Sequence, residues 1–379
     1  MNRPTQRSIS LGLLASTFFA GCSLHRLPDP KTPDCAPASA LALWECIAAI
    51  PRQDRPESGF TSTVRVSDIS RKEKDQALPS ACEGPTPAGF TLEHLEMPAG
   101  RAPLVAFVAP PAGDSNPIVF VVHGMFDSKN TSYVQVTGDL LRRQGFGVVI
   151  PDMRFHGCLL SKQWLPTLGI EEGADLAAWA KRIASDHPGH PIGLVGFSLG
   201  GLSVLHAMGQ KEAAEIFAAG TVAVSPAADL PRLVRYLDAK VFFADSGFTA
   251  SMRKGFRTYL HKRSKELGVE SIATFQDALE RIARTLPELG PDTQEFLRRA
   301  DPSSAVASSP RPLLILVTSN DPIIPVSSID DLTRAGRDNP HVHVIETPYG
   351  GHIGQPGDSP DWYAAVLSAF FRYSAKVSD

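Results

Sequence analysis

Residues 191–208, Pro-Ile-Gly-Leu-Val-Gly-Phe-Ser-Leu-Gly-Gly followed by Leu-Ser-Val-Leu-His-Ala-Met, limit the fold of this chain more than any other stretch. The apolar run 192–195 reads as a short buried strand, and 202–208 has helical composition. Between them, Gly196-Phe197-Ser198-Leu199-Gly200 puts a serine in a sharp strand-to-helix turn. A strained turn of this kind needs neighbours without Cβ, and Gly196 and Gly200 supply them. Ser198 Oγ would then stand exposed above the strand ends. The helix opening at Leu199 would present its positive end to developing negative charge. These are the requirements of a nucleophile.

The surrounding sequence repeats one rhythm. Strands are predicted over 91–97, 104–109, 118–122, 148–150, 192–195, 221–224, 313–317 and 342–345, the first two as a hairpin. Helices are predicted over 133–144, 172–186, the stretch after Ser198, and 362–373. Fully apolar strands separated by amphipathic helices imply an α/β fold with a mostly parallel sheet covered on both faces. Ligands then bind beyond the carboxyl ends of the strands. One interval, 226–311, breaks the rhythm: it carries helical patterns at 230–237, 253–265, 273–286 and 293–299 and no strand candidate. It reads as a helical cap over the site.

A serine needs a base to take its proton and an acid to orient that base. Asp321 follows the strand 313–317 in Asn-Asp-Pro-Ile-Ile-Pro, a loop that carries a carboxylate over the sheet end; Glu346 is the fallback. Of eleven histidines, His352 is the expected base. It lies in Tyr349-Gly350-Gly351-His352, a loop after the last strand, and completes the order Ser…Asp…His. The oxyanion hole needs two backbone N–H groups. Leu199 provides one, and the His123-Gly124-Met125-Phe126 loop after strand 118–122 the other, through Met125 with Phe126 second. His123, Phe126 and Phe197 are the candidate substrate-binding residues, and His123 is also a candidate brace of its loop. No Cys or His cluster has metal-ligand spacing, and no cofactor is expected.

These motifs together resemble the α/β-hydrolase superfamily across residues 90–373, with 90–225 and 312–379 as its two core segments. Asp152-Met153-Arg154-Phe155-His156-Gly157 is similar to the Asp-x-Arg-x-x-Gly loop of many members. The cap position and Gly255-Phe256-Arg257-Thr258-Tyr259 faintly resemble the YheT-like carboxylesterase branch. The resemblance implies an α/β-hydrolase fold and acyl transfer to water. A serine at the elbow argues against dehalogenases and epoxide hydrolases, which carry aspartate there. An esterase or lipase acting on a small-molecule or lipid-like acyl ester is the leading expectation. Thioesterase, amidase and peptidase activity use the same groups, and a non-catalytic binding lipoprotein is the alternative from another class.

The first residues point to the compartment. Arg3 and Arg7 precede an apolar segment at 9–20, the pattern of a signal peptide over 1–21. Phe19-Ala20-Gly21-Cys22 resembles a bacterial lipobox, which implies lipidation of Cys22; Ser23 at the next position implies outer-membrane sorting. Several acyl chains on one residue would anchor the protein firmly in the bacterial envelope. Residues 22–89 then form a tether and extension, with a short helix over 38–50 and a strand-like stretch at 61–66. The remaining cysteines, Cys35, Cys46, Cys82 and Cys158, allow three disulfide connectivities outside the cytoplasm, with bonds inside the N-terminal part favoured. A net charge of −3 gives no basic face for nucleic acid.

Overall fold

A computed structural model describes residues 26–31, 35, 37–52, 85–160, 165–239, 272–353 and 355–377, with scattered positions between 254 and 268. The signal segment, Cys22, Cys82 and the strand-like stretch at 61–66 lie outside the described residues, as do positions 253, 255, 256, 259, 262 and 263 of the predicted helix 253–265, whose other positions are helical.

Eight strands build one sheet: β1 (Thr91–Leu95), β2 (Leu104–Ala109), β3 (Ile118–Val122), β4 (Gly147–Pro151), β5 (Ile192–Phe197), β6 (Thr221–Val224), β7 (Leu313–Thr318) and β8 (Val342–Thr347). Their spatial order is β1-β2-β4-β3-β5-β6-β7-β8. β2 runs antiparallel to both β1 and β4, and every other pairing is parallel. β3, β4, β5, β6 and β7 are buried at every position. Strands that see no water on either face have no polar side to alternate with, so their sequences are rich in Val, Ile and Leu and carry no charged residue.

The long helices are α1 (Ala40–Ala48), α2 (Ser132–Arg143), α3 (Ile170–Asp186), α4 (Leu199–Met208), α5 (Leu230–Asp238), α6 (Phe275–Thr285), α7 (Thr293–Ala300), α8 (Val326–Gly336) and α9 (Pro360–Tyr373). α1, α2 and α9 cover one face of the sheet, and α3, α4 and α8 the other. Each fully buried Leu, Val, Ile or Phe of these layers contributes roughly 1.5–3 kcal/mol relative to exposure.

The interval between β6 and β7 folds as helices among the described residues. Its boundaries follow local chemistry. Thr274 Oγ1 accepts from Asp277 N at 3.0 Å while Asp277 Oδ2 accepts from Thr274 N at 3.0 Å, a reciprocal cap that satisfies two donors at the start of α6. Asp292 does the same one way for α7, accepting from Glu295 N at 2.9 Å. The apolar faces of α5, α6 and α7 form a third cluster that includes Phe126, Leu202, Ile323 and Ile324 from the loops and helix at the carboxyl end of the sheet.

The N-terminal stretch departs from the expected tether. Leu27 is fully buried, Arg143 Nη2 donates to its carbonyl at 2.7 Å, and a disulfide joins Cys35 to Cys46. Trp44 of α1 stacks on His343 of β8 and on Phe370 of α9, and its Nε1 donates to Pro340 O at 2.9 Å. The described part of this stretch therefore packs on the α/β core. An indole that can bury its ring and still place its N–H on a carbonyl gains both terms.

Candidate active site

Ser198 sits between β5 and α4 with φ 55° and ψ −115°, a left-handed conformation that costs a non-glycine residue on the order of 1–3 kcal/mol. The flanking glycines make it possible. A Cβ on Gly196 would lie 2.2 Å from Gly200 O, and one on Gly200 would lie 2.4 Å from His123 O. Both obstacles are backbone and cannot swing aside. Ser198 N donates to Val224 O of β6 at 2.8 Å, which ties the turn to the neighbouring strand.

His352 Nε2 lies 2.8 Å from Ser198 Oγ, and His352 Nδ1 lies 2.8 Å from Asp321 Oδ2. The His352 and Asp321 side chains are almost wholly buried. Asp321 is held in turn: its Oδ1 accepts from Ile323 N at 2.7 Å and from Ile324 N at 2.9 Å. With Nδ1–H donated to the carboxylate, Nε2 is the basic nitrogen and faces the serine hydroxyl. A proton can therefore pass from Ser198 Oγ to His352 without any rearrangement of heavy atoms. Glu346, the fallback acid, accepts instead from Ser319 Oγ.

Two side chains not singled out from sequence hold the histidine loop. Thr318 Oγ1 donates to Gly351 O at 2.6 Å, and Asn320 Oδ1 accepts from Gly351 N at 2.9 Å. Both lie within three residues of Asp321, so one segment supplies the acid and the supports of the base. Adjacency to Asp321 is the sequence signal that could have marked them.

The His-Gly loop passes directly against the serine, since a Cβ on Gly124 would lie 3.3 Å from Ser198 Cβ. His123 is fully buried and its ring spans two backbone groups. Nε2 accepts from Met153 N at 3.1 Å, and Nδ1 donates to Gly124 O at 2.7 Å. Burial, with nearby His156 adding to it, lowers its pKa to about 3, so the ring stays neutral. A trans peptide sets C=O and N–H in opposite directions; pinning Gly124 O on the imidazole therefore turns Met125 N–H away from it. Leu199 opens α4, and the first N–H groups of a helix have no partner inside it.

The structure revises two of the expected substrate contacts. His123 is a brace of its loop, fully buried with both ring nitrogens on backbone groups. Phe197 is fully buried in the layer under α2 and α9, edge-on to Tyr133 at 4.9 Å between ring centres. Side chains alternate along a strand, and the residue before the serine faces the core. Phe126 instead joins the apolar cluster of α5, α6 and α7 above the sheet, with Met125 packed beside it.

The Asp-x-Arg-x-x-Gly loop braces the same region from below. Asp152 Oδ2 accepts from Lys129 Nζ at 2.8 Å, its Oδ1 from Lys129 N at 2.8 Å, and both residues are fully buried. Arg154 forms a bidentate pair with Asp175 at 2.6 Å. Cys158 is a thiol within 3.2 Å of Lys129 Nζ. Among the described residues no group of three or more His, Cys, Asp or Glu side chains is arranged to hold a metal ion.

The model of the α/β-hydrolase family matches residues 118–366, about two thirds of the chain and all three members of the hydrogen-bonded chain above. The protein belongs to the α/β-hydrolase family. This α/β hydrolase is similar to the phospholipase ABHD3 of Mus musculus, 23% identical over 249 residues that cover 63% of this chain and 58% of that one. It is also similar to a monoacylglycerol lipase of Saccharomyces cerevisiae, 22% identical over 284 residues, covering 68% and 60%. The chain thus spans about three fifths of the length of these relatives. Among solved structures, the Pyrococcus furiosus esterase Pf2001 superposes with a TM-score of 0.53 at 17% identity, covering 78% of this chain and 95% of that one. The acylaminoacyl peptidase of Pyrococcus horikoshii gives 0.53 at 16% identity, covering 77% and 42%. The hydrolase shares its fold with both.

Proposed function

We propose that this α/β hydrolase cleaves carboxylic esters with apolar acyl chains through a covalent acyl-enzyme. His352 Nε2 takes the Ser198 proton as Oγ attacks the ester carbonyl. Asp321 fixes the imidazole tautomer and stabilises the cation that forms. The N–H groups of Leu199 and Met125 receive the oxyanion. The proton on His352 then passes to the departing alkoxide, and a water activated by His352 releases the acid and restores the serine.

The observation that carries this reading is the 2.8 Å contact between His352 Nε2 and the hydroxyl of a serine held at φ 55°. A binding module has no use for that strain together with an oriented base. The apolar cluster of Phe126, Leu202, Ile323 and Ile324 beneath α5, α6 and α7 favours an acyl chain over a polar substrate. The names of the similar lipase and phospholipase agree with a lipid-like ester. Residues 226–311 would form the cap over it.

The test is hydrolysis of a chromogenic ester series from acetyl to palmitoyl by the full chain in detergent. Activity should peak at a defined chain length and fall by about 10⁴-fold or more in Ser198→Ala. Wild-type and variant hydrolysing every ester at the same rate would refute the proposal and leave the binding-lipoprotein reading.

The proposed place of action is the bacterial envelope, through lipidation of Cys22 in Phe-Ala-Gly-Cys and sorting to the outer membrane by Ser23. Cells expressing the chain with labelled palmitate should yield a labelled membrane-bound protein, and Cys22→Ala should yield none. Equal labelling of the two would rule lipidation at Cys22 out.

A further inference from the structure

The hydroxyl of Tyr133 lies where the His-Gly loop meets the serine turn. Tyr133 belongs to α2 and is buried. Its Oη accepts from Gly124 N at 2.7 Å and donates to Asp127 Oδ2 at 2.6 Å. Its ring packs edge-on against Phe197, the residue before Ser198. A Cβ on Gly124 would lie 3.3 Å from Tyr133 Oη and 3.3 Å from Ser198 Cβ, so this hydroxyl and the serine flank the same α-carbon. One aromatic side chain thereby touches both the loop expected to donate to the oxyanion and the strand end that carries the nucleophile.

The polarity of the two hydrogen bonds matters. A hydroxyl has one proton and two lone pairs. Asp127 takes the proton, which leaves a lone pair free to face Gly124 N–H. An anionic acceptor on one side of a hydroxyl also strengthens the bond it accepts on the other. Burial and the Asp127 carboxylate raise the phenol pKa well above 10, so the proton stays on Tyr133 at any working pH. The next peptide is pinned through Gly124 O by His123. Gly124 is held on its N–H by Tyr133 and on its C=O by His123, and the Met125 N–H follows rigidly from it.

We propose that Tyr133, oriented by Asp127, is a positioning residue for the oxyanion hole: it fixes the Gly124–Met125 peptide against Ser198. This inference rests on the ester-hydrolase reading. It assigns the pair an effect on the transition state and little effect on substrate binding, because the ground-state carbonyl makes weaker demands on the Met125 N–H than the oxyanion does.

The test measures steady-state hydrolysis of a chromogenic ester by the full chain as wild-type, Tyr133→Phe, Asp127→Ala and Asp127→Asn. It adds the inhibition constant of an alkyl boronic acid, whose tetrahedral Ser198 adduct places an oxygen where the oxyanion forms. Tyr133→Phe keeps the ring on Phe197 and should lower kcat by about 10- to 100-fold, with KM within about twofold. Boronate affinity should fall in parallel with kcat. Asp127→Ala should produce a smaller loss, and Asp127→Asn, which keeps an acceptor, a smaller one still. A hydroxyl that merely satisfies a buried amide would change stability without that parallel. The inference is overturned by Tyr133→Phe with kcat near wild-type, or by a loss of kcat with boronate affinity unchanged. If Tyr133→Phe does not fold, equal kcat for Asp127→Ala and Asp127→Asn overturns it. An inactive wild-type enzyme instead overturns the ester-hydrolase reading, and this inference with it.

Discussion

At the scale of single residues, the site is a set of groups each held at both ends. Asp321 has one oxygen on His352 and the other on two backbone N–H groups. His123 is the same device in neutral form, accepting at one nitrogen and donating at the other. Its neutrality has a thermodynamic consequence. The folded-state pKa is about 3 against an ordinary 6.5, so below pH 6.5 the unfolded chain binds a proton that the folded chain refuses. Stability must therefore fall as pH drops through that window, with a slope approaching about 1.4 kcal/mol per pH unit for this one residue. Burial lowers His206 and His343 in the same direction and adds to the loss. Urea unfolding from pH 7 to pH 4 checks this. His123→Gln should be less stable at pH 7, having lost fitted hydrogen bonds, yet show a shallower decline on acidification. Parallel curves for the two proteins would contradict the assignment.

At the scale of elements, the sequence was legible where burial is strong and local. All eight predicted strands are present: β3 to β7, with no wet face, announce themselves by apolar runs, whereas β1, exposed or half-buried throughout, shows only alternation. The boundary of β5 runs two residues past the predicted end, since Gly196 and Phe197 still pair with Ala223 and Val224 of β6. α8 was not foreseen. Its buried positions are Ser328, Ile329, Leu332 and Gly336, so only two large apolar side chains mark its inner stripe, and Ser328 spends its hydroxyl on Ala228 O. The docking of α1 was illegible for another reason. Trp44 and its carbonyl partner Pro340 are 296 positions apart, and no local pattern encodes a contact of that span. Tyr133 escaped notice in the same way: it reads as an ordinary core residue of α2, and only the geometry brings its hydroxyl to Gly124. The order Ser, Asp, His was readable because each lies in a short loop directly after a strand, and parallel strands carry such loops to one edge of the sheet.

At the scale of the whole molecule, three layers converge on that edge. The sheet supplies three loops, the core helices fix their depth, and the helices between β6 and β7 close an apolar cluster above them. The described N-terminal stretch adds a clasp on the far face: Cys35 N donates to Tyr373 Oη at 3.2 Å, and Arg52 Nη2 donates to Tyr349 O at 3.1 Å in the loop that carries His352. The central claim is that this assembly makes Ser198 a nucleophile through His352. Its most direct test is the rate of reaction of a fluorophosphonate probe with the folded full chain, with the adduct located by mass spectrometry. A single adduct on Ser198 is expected in the wild-type protein, formed about 10³-fold or more faster than in His352→Ala. No adduct on Ser198, or the same rate in the two proteins, would contradict the account.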